Sequence, residues 1–213
     1  MTDDDRQPPP PPQFELDAGR LCLDFANTLG VFAGDHLHGP QDLLAFARQA
    51  GLLPDTELPQ LLADLRDQPE AAHALLARAR TLRQAIFDVF SAVVARRPAA
   101  APDLATLNDE LAATLGQQRL VAEPDGSYDW GWRPGRLEPA DLLRPIVRSA
   151  ADLLTSPDLA GVRQCAASDC AWLFLDTSRN RSRQWCSMQT CGNRAKARRY
   201  YERRRRTDAP ASA

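Results

Sequence analysis

The chain has 213 residues, 44% hydrophobic and 25% charged, and holds no run near the roughly 18 apolar residues of a membrane helix, so a helical membrane protein is excluded. Its net charge of −2 joins two unlike parts: residues 1–160 carry 14 Lys and Arg against 24 acids, and residues 161–206 carry 12 against three. A strongly basic C-terminal part points to a polyanionic partner.

Residues 1–13 combine an acidic start, Met1 to Arg6, with a five-proline run, Pro8 to Pro12. This is not a signal peptide, and the segment is expected to be a disordered leader of a cytoplasmic protein. Five cysteines in a reducing compartment point to metal or redox use rather than disulfides. Order is expected from Phe14. Phe14 to Asp17 and Leu21 to Phe25 alternate, which predicts a strand or two running into a helix at Ala26 to Leu29. Pro40 opens a helix that Gly51 ends. Helices follow over Glu57 to Asp67, with Leu58, Leu61, Leu62 and Leu65 at helical spacing, over Glu70 to Arg97, and over Asp103 to Gly116. Pro98 and Pro102 separate the last two.

Arg119 to Glu123 and Tyr128 to Trp132 predict a β-hairpin around the turn residues Pro124-Asp125-Gly126-Ser127. A helix from Pro139 to Leu154 closes the region. Residues 14–160 therefore read as a mostly helical domain. No Gly-rich phosphate loop, nucleophile elbow or paired acid–base signature occurs, so no enzyme is expected.

Cys165, Cys170, Cys186 and Cys191 have the spacing C-x4-C-x15-C-x4-C. Four thiolates around a tetrahedral ion make a closed structural zinc site, with no open position for catalysis. Few aliphatic residues accompany them, so a metal cross-link has a clear structural role in residues 161–206. Cys22 stands alone and is expected to pack in the core. His36, His38 and His73 lie outside the module, and the first two read as loop residues. Trp172 to Leu175 predicts a strand and Gln184 to Cys186 its return. The aromatics Trp172 and Trp185 are expected over the metal, with base stacking as the sharper alternative.

After Gly192, which permits a tight turn, Asn193 is expected to cap a helix running to Arg206. Ala197, Tyr200 and Tyr201 form a stripe expected to dock on the zinc module. Arg179, Arg181, Arg183, Arg194, Lys196, Arg198, Arg199, Arg203, Arg204, Arg205 and Arg206 are the candidate nucleic-acid contacts, because cations clustered in one turn and one helix are the electrostatic footprint of phosphate binding. Residues 207–213 read as a disordered tail. The fold class is mainly α with small β elements (α+β): a helical N-terminal domain with a hairpin, then a zinc-stabilised ββα-like module.

Cys191-Gly192-Asn193-Arg194 resembles the name-giving motif of the CGNR zinc-finger family of bacterial proteins. The likeness extends over Phe174-Leu175-Asp176-Thr177-Ser178, Trp185-Cys186-Ser187-Met188 and Lys196-Ala197-Arg198-Arg199. Leu21-Cys22-Leu23-Asp24-Phe25-Ala26-Asn27-Thr28 resembles the ABATE domain that usually precedes this finger. The resemblance implies the four cysteines as ligands to one zinc ion, and a stress-associated transcription regulator whose finger binds DNA. Asp24, Asn27 and Thr28 fall in its signature, either capping the adjacent helix or facing a ligand pocket. The expected partners are DNA, a second copy of the chain and a small-molecule effector at the N-terminal domain. The alternative is an adaptor whose basic module binds an acidic protein, or RNA in place of DNA.

Overall fold

The structure, a computed structural model, describes residues 12–30, 34–132 and 135–207. The leader expected over 1–13 and the tail over 207–213 therefore fall almost wholly outside the described residues.

In chain order the elements are α1 (Leu21–Ala26), β1 (Leu29–Gly30), β2 (Gly34–Asp35), α2 (Pro40–Gln49), α3 (Leu58–Asp67), α4 (Pro69–Val94), α5 (Ala101–Leu115), β3 (Gln118–Ala122), β4 (Tyr128–Trp132), α6 (Leu143–Leu154), β5 (Val162–Gln164), β6 (Leu173–Leu175) and α7 (Asn193–Thr207). A 3-10 turn at Pro139–Leu142 leads into α6, and another at Pro157–Gly161 leads into β5. The fold is mainly helical with three short antiparallel strand pairs. Proline opens α2 and α4, where its fixed φ suits the first helical position and its missing N–H costs nothing.

The 26-residue α4 is the axis of the core. Leu75, Leu76, Ala79, Leu82, Ile86, Val89 and Phe90 are buried at spacings of three and four, the stripe of a helix packed along one side. Phe25 and Phe46 meet edge to face at 5.3 Å between ring centres beside it. The same core continues without a break into the C-terminal module, through Val162, Leu173, Phe174, Leu175 and the cysteines 165, 186 and 191.

Two local expectations are corrected. Leu21 to Phe25 is helical, not a strand. Cys22, Leu23, Phe25 and Ala26 are all buried, at i, i+1, i+3 and i+4, so the segment uses helical periodicity against α4, α6 and β6. Gln184 to Cys186 is no return strand either. The Gln184 carbonyl accepts the Ala166 N–H at 2.9 Å, and the carbonyls of Trp185 and Cys186 accept from the Arg183 guanidinium. β6 pairs instead with β5, which precedes the first cysteine, in the register Val162↔Leu175, Arg163↔Phe174 and Gln164↔Leu173.

The end of α1 ties the two parts together. The Asn27 side chain donates to the Leu173 carbonyl at 2.8 Å and accepts from the Leu173 N–H at 2.9 Å, so one amide completes both backbone groups of a buried β6 residue. Ala18 contributes its carbonyl to the Leu175 N–H at 2.7 Å. Asp24 accepts from the Ala18 N–H at 2.9 Å and so fixes that segment, and burial pushes its carboxyl up to about 6. Thr28 donates to the Phe25 carbonyl and accepts from Arg83. All three residues are thus committed within the fold.

Candidate metal centre and basic helix

β5 ends beside Cys165, whose N–H donates to the Trp172 carbonyl at 2.9 Å. The Cys170 N–H closes a tight turn onto Ala167 at 3.0 Å. Of the second pair, Cys186 precedes and Cys191 lies on a π-helical turn, Met188–Gly192, where the Gly192 N–H donates to Ser187 at 3.0 Å. Gly192 does not have a left-handed φ here, and a side chain in its place would press on Met188 and the Trp185 ring. An added Cβ would lie 2.5 Å from Met188 Sδ and 3.2 Å from the Trp185 ring.

These two turns bring the four sulfurs within 4.8 Å of one another. Cys170 and Cys186 are 3.7 Å apart at Sγ, and Cys186 and Cys191 are 3.5 Å apart. A tetrahedral ion with Zn–S bonds of about 2.3 Å sets its sulfurs roughly 3.8 Å apart, so the pocket has the right size and softness. Cys165, Cys186 and Cys191 are buried and Cys170 is half-buried. The Cys186 hydrogen bond holds the Cys170 thiol down to about 6, ahead of an opposing burial effect, whereas that same contact and burial push the Cys186 thiol up. The cluster thus already favours a thiolate that a dication would take over. Four sulfurs fill a tetrahedron, and the set fits one structural zinc ion.

The surroundings address the charge that such a core carries. Arg194 donates to Cys191 Sγ at 3.2 Å and lies 3.6 Å from Asp169. Arg183 also stacks over Phe174, 4.5 Å from its ring centre. Among the described residues the four cysteines are the metal-type grouping, and it includes no histidine. Cys22 is fully buried away from it, its thiol pushed up to about 12 by burial, which suits packing.

α7 continues directly from the second knuckle. Asn193 is its first helical residue rather than an extended cap, and its side chain donates to the Gln189 carbonyl one turn back at 3.0 Å. Ala195 is the buried anchor of the helix. The expected stripe is not: Ala197, Tyr200 and Tyr201 are exposed, and the two tyrosines meet edge to face at 5.7 Å. Ala195 is the one buried residue among the described side chains of the helix; Asn193, Arg194 and Lys196 in the same turn are exposed.

The candidate cations divide by what they touch. Arg183 and Arg194 serve the metal knuckles. Arg198 donates to Ser168 at 2.8 Å, and Arg199 lies over the Trp185 ring at 5.9 Å, which fastens the helix to the module. Arg204 lies 5.9 Å from the Tyr200 ring centre, on the helix itself. Lys196, Arg199, Arg203 and Arg204 are exposed along α7. Arg179 and Arg181 project from the loop after β6, which the buried Asp176 carboxylate ties by accepting the Ser178 and Arg183 N–H groups, both at 2.9 Å. The backbone of Arg205 and Arg206 belongs to α7, and their side chains lie outside the described residues.

Two family models match the sequence. One, the ABATE model, described as "putative stress-induced transcription regulator", matches residues 19–157. The other, the CGNR zinc finger, matches residues 162–204. No curated protein matches.

Proposed function

Because the chain belongs to the ABATE family and carries a CGNR zinc finger behind that region, we propose that it is a DNA-binding transcription regulator whose zinc module presents α7 to the phosphate backbone. The observation that carries this reading is the exposed row of cations Lys196, Arg199, Arg203 and Arg204 on a helix rooted at the metal knuckle, flanked by Arg179 and Arg181. A closed four-sulfur site can hold such a helix in place but leaves no position for chemistry. Neither family is an enzyme family. The four cysteines are the proposed ligands, residues 161–206 the nucleic-acid module, and residues 14–160 the regulatory domain. Among the described residues no helix is long and apolar enough to cross a membrane, and we place the protein in the cytoplasm, where thiols stay reduced for zinc.

For the N-terminal domain we propose ligand sensing or association, with any effector placed away from Asp24, Asn27 and Thr28; the roughly 490 Å³ cavity between β4 and α6 has the size for one. The polar groups of Asp24, Asn27 and Thr28 are held by partners within the fold. The cavity beside them, next to His36 and Trp172, measures about 90 Å³. Small-molecule pockets run to roughly 300–1,000 Å³.

Binding of the zinc-loaded chain to duplex DNA, followed by fluorescence anisotropy at rising salt, tests the reading. Release of counterions from about six phosphates gives a log–log slope of about −5. Replacing Arg203, Arg204, Arg205 and Arg206 with Ala should flatten that slope by about one for each phosphate no longer neutralised, on every sequence alike. An affinity that ignores salt overturns the reading. Binding to an acidic protein or to RNA with none to DNA favours the adaptor or RNA-binding alternative instead.

A further inference from the structure

The tyrosines of α7 have no part in docking the helix. An α-helix turns about 100° per residue, so its residues sort onto sides. Ala195 is buried, Arg198 donates to Ser168 at 2.8 Å, and Arg199 lies over the Trp185 ring at 5.9 Å. The two arginines fall within roughly 60° of Ala195, and the three together mark the side that meets the zinc module. Ala197, Tyr200 and Tyr201 fall roughly 120–160° away from Ala195, on the far side. All three are exposed, Tyr200 by 51% and Tyr201 by 65%. The two rings meet edge to face at 5.7 Å, and Arg204 lies 5.9 Å from the Tyr200 ring centre. The rings are thus braced on the helix surface, where they forgo the burial that large apolar side chains usually gain.

Charge is arranged around this stripe. Lys196, Arg199 and Arg203, at i, i+3 and i+7, run along one edge of it. Glu202, the one acid in the sequence of α7, stands seven residues after Ala195 and so shares its side of the register, away from the stripe.

We propose that this stripe is the base-reading face of α7: with the cation row on the phosphates, Ala197, Tyr200 and Tyr201 enter the major groove of duplex DNA and contact thymine methyl groups. The groove is about 12 Å wide and admits an α-helix, and the 15 residues of α7 supply about 22 Å of one. A helix that lays an edge of cations against one phosphate strand turns the adjoining face to the base edges. Phosphate contacts position a protein without specifying sequence, so discrimination has to come from that face. Thymine shows a methyl group in the major groove, which alanine and aromatic side chains meet by apolar contact. The inference rests on the DNA-binding reading above and adds which residues select sequence.

The test uses the full zinc-loaded chain. Selection from a random duplex pool should enrich a short site that contains thymine. On that site, replacing a contacted thymine with deoxyuridine removes one methyl and keeps every hydrogen-bonding group, and anisotropy at fixed salt should show affinity falling about fourfold. Tyr200→Ala with Tyr201→Ala should cut the preference for the selected site over a scrambled duplex at least about tenfold and abolish the deoxyuridine response. Affinity for the scrambled duplex, its salt slope, zinc content and helical signal should match the wild type. Tyr200→Phe with Tyr201→Phe should keep the response, because the apolar rings remain. Should the alanine variant lose helical signal, the deoxyuridine series on the wild-type chain decides. A wild-type chain indifferent to deoxyuridine overturns the proposal, as does an alanine variant that keeps its preference or loses affinity equally on both duplexes. Tighter binding to single strands than to duplex, lost with the tyrosines, overturns it in favour of base stacking. A chain that binds duplex with the expected salt slope but enriches no site sinks this inference and leaves the regulator reading standing. One without salt-dependent DNA affinity sinks both.

Discussion

Arg83 is only 4% exposed, and its charge is answered chiefly by one carboxylate. Its two terminal nitrogens reach Asp35 at 2.6 and 2.9 Å, and Thr28 adds an acceptor at 3.2 Å. Asp35→Ala strands this cation, and denaturant unfolding should report a loss of about 3–5 kcal/mol. Burial alone would raise the Asp35 carboxyl, but the Arg83 hydrogen bonds, the Leu37 N–H and the charges of Arg83 and Arg80 outweigh it and hold the group at about 2, below its ordinary 3.8. A carboxyl lowered by folding stabilises at pH values above its unfolded value. That contribution should fade as pH falls from about 4 through about 2, and an acid titration of the Asp35→Ala protein should lack that component. The pairing of Asp35 with Arg83 spans 48 residues, and nothing local in either segment announces it. The cysteines differ in this respect. Two C-x4-C pairs of equal spacing within one short basic segment point to two turns facing one ion, with buried thiol pairs, a redox disulfide or an iron–sulfur cluster as the readings that spacing leaves open.

At the scale of elements, the clamp of α1 on β6 is where the signature residues find their use. Asn27→Ala removes an acceptor and a donor from a buried backbone pair, and each group left unsatisfied costs about 1–3 kcal/mol. The substitution should lower the melting temperature without changing zinc stoichiometry, as read by calorimetry and metal analysis. Helices α2 to α5 are legible in the sequence because proline starts and a 3.6-residue stripe are local signals. α1 is not, since six residues buried on several sides leave no polar face to set the period. The partner of β6 is hidden too: nothing local in Val162 to Gln164 or in Gln184 to Cys186 says which of them pairs with it, and it is the first that does. The helix α7 is visible in composition, but not which side it shows. Ala195 is the anchor and the tyrosines stay outside.

Across the whole molecule the acidic and basic parts share one apolar interior although their charges differ in sign. Structural zinc sites supply an apparent ~10–16 kcal/mol of folding free energy. With Leu173, Phe174 and Leu175 packed in the same interior as α1 and α4, chelation should lower the single melting transition of the entire chain, seen by calorimetry, rather than melt the last 50 or so residues alone. Two separate transitions would contradict that coupling. Charge segregation and the family signatures make the two parts legible as neighbours in sequence. The joint between them cannot be read there, because it is made by side chains such as Asn27 reaching residues 146 positions away. One practical outcome concerns anyone who would graft this finger elsewhere. Cut loose at residue 161 it carries away an oily underside of Val162, Leu173, Phe174 and Leu175, so a transplanted cassette should clump where the parent stays dissolved.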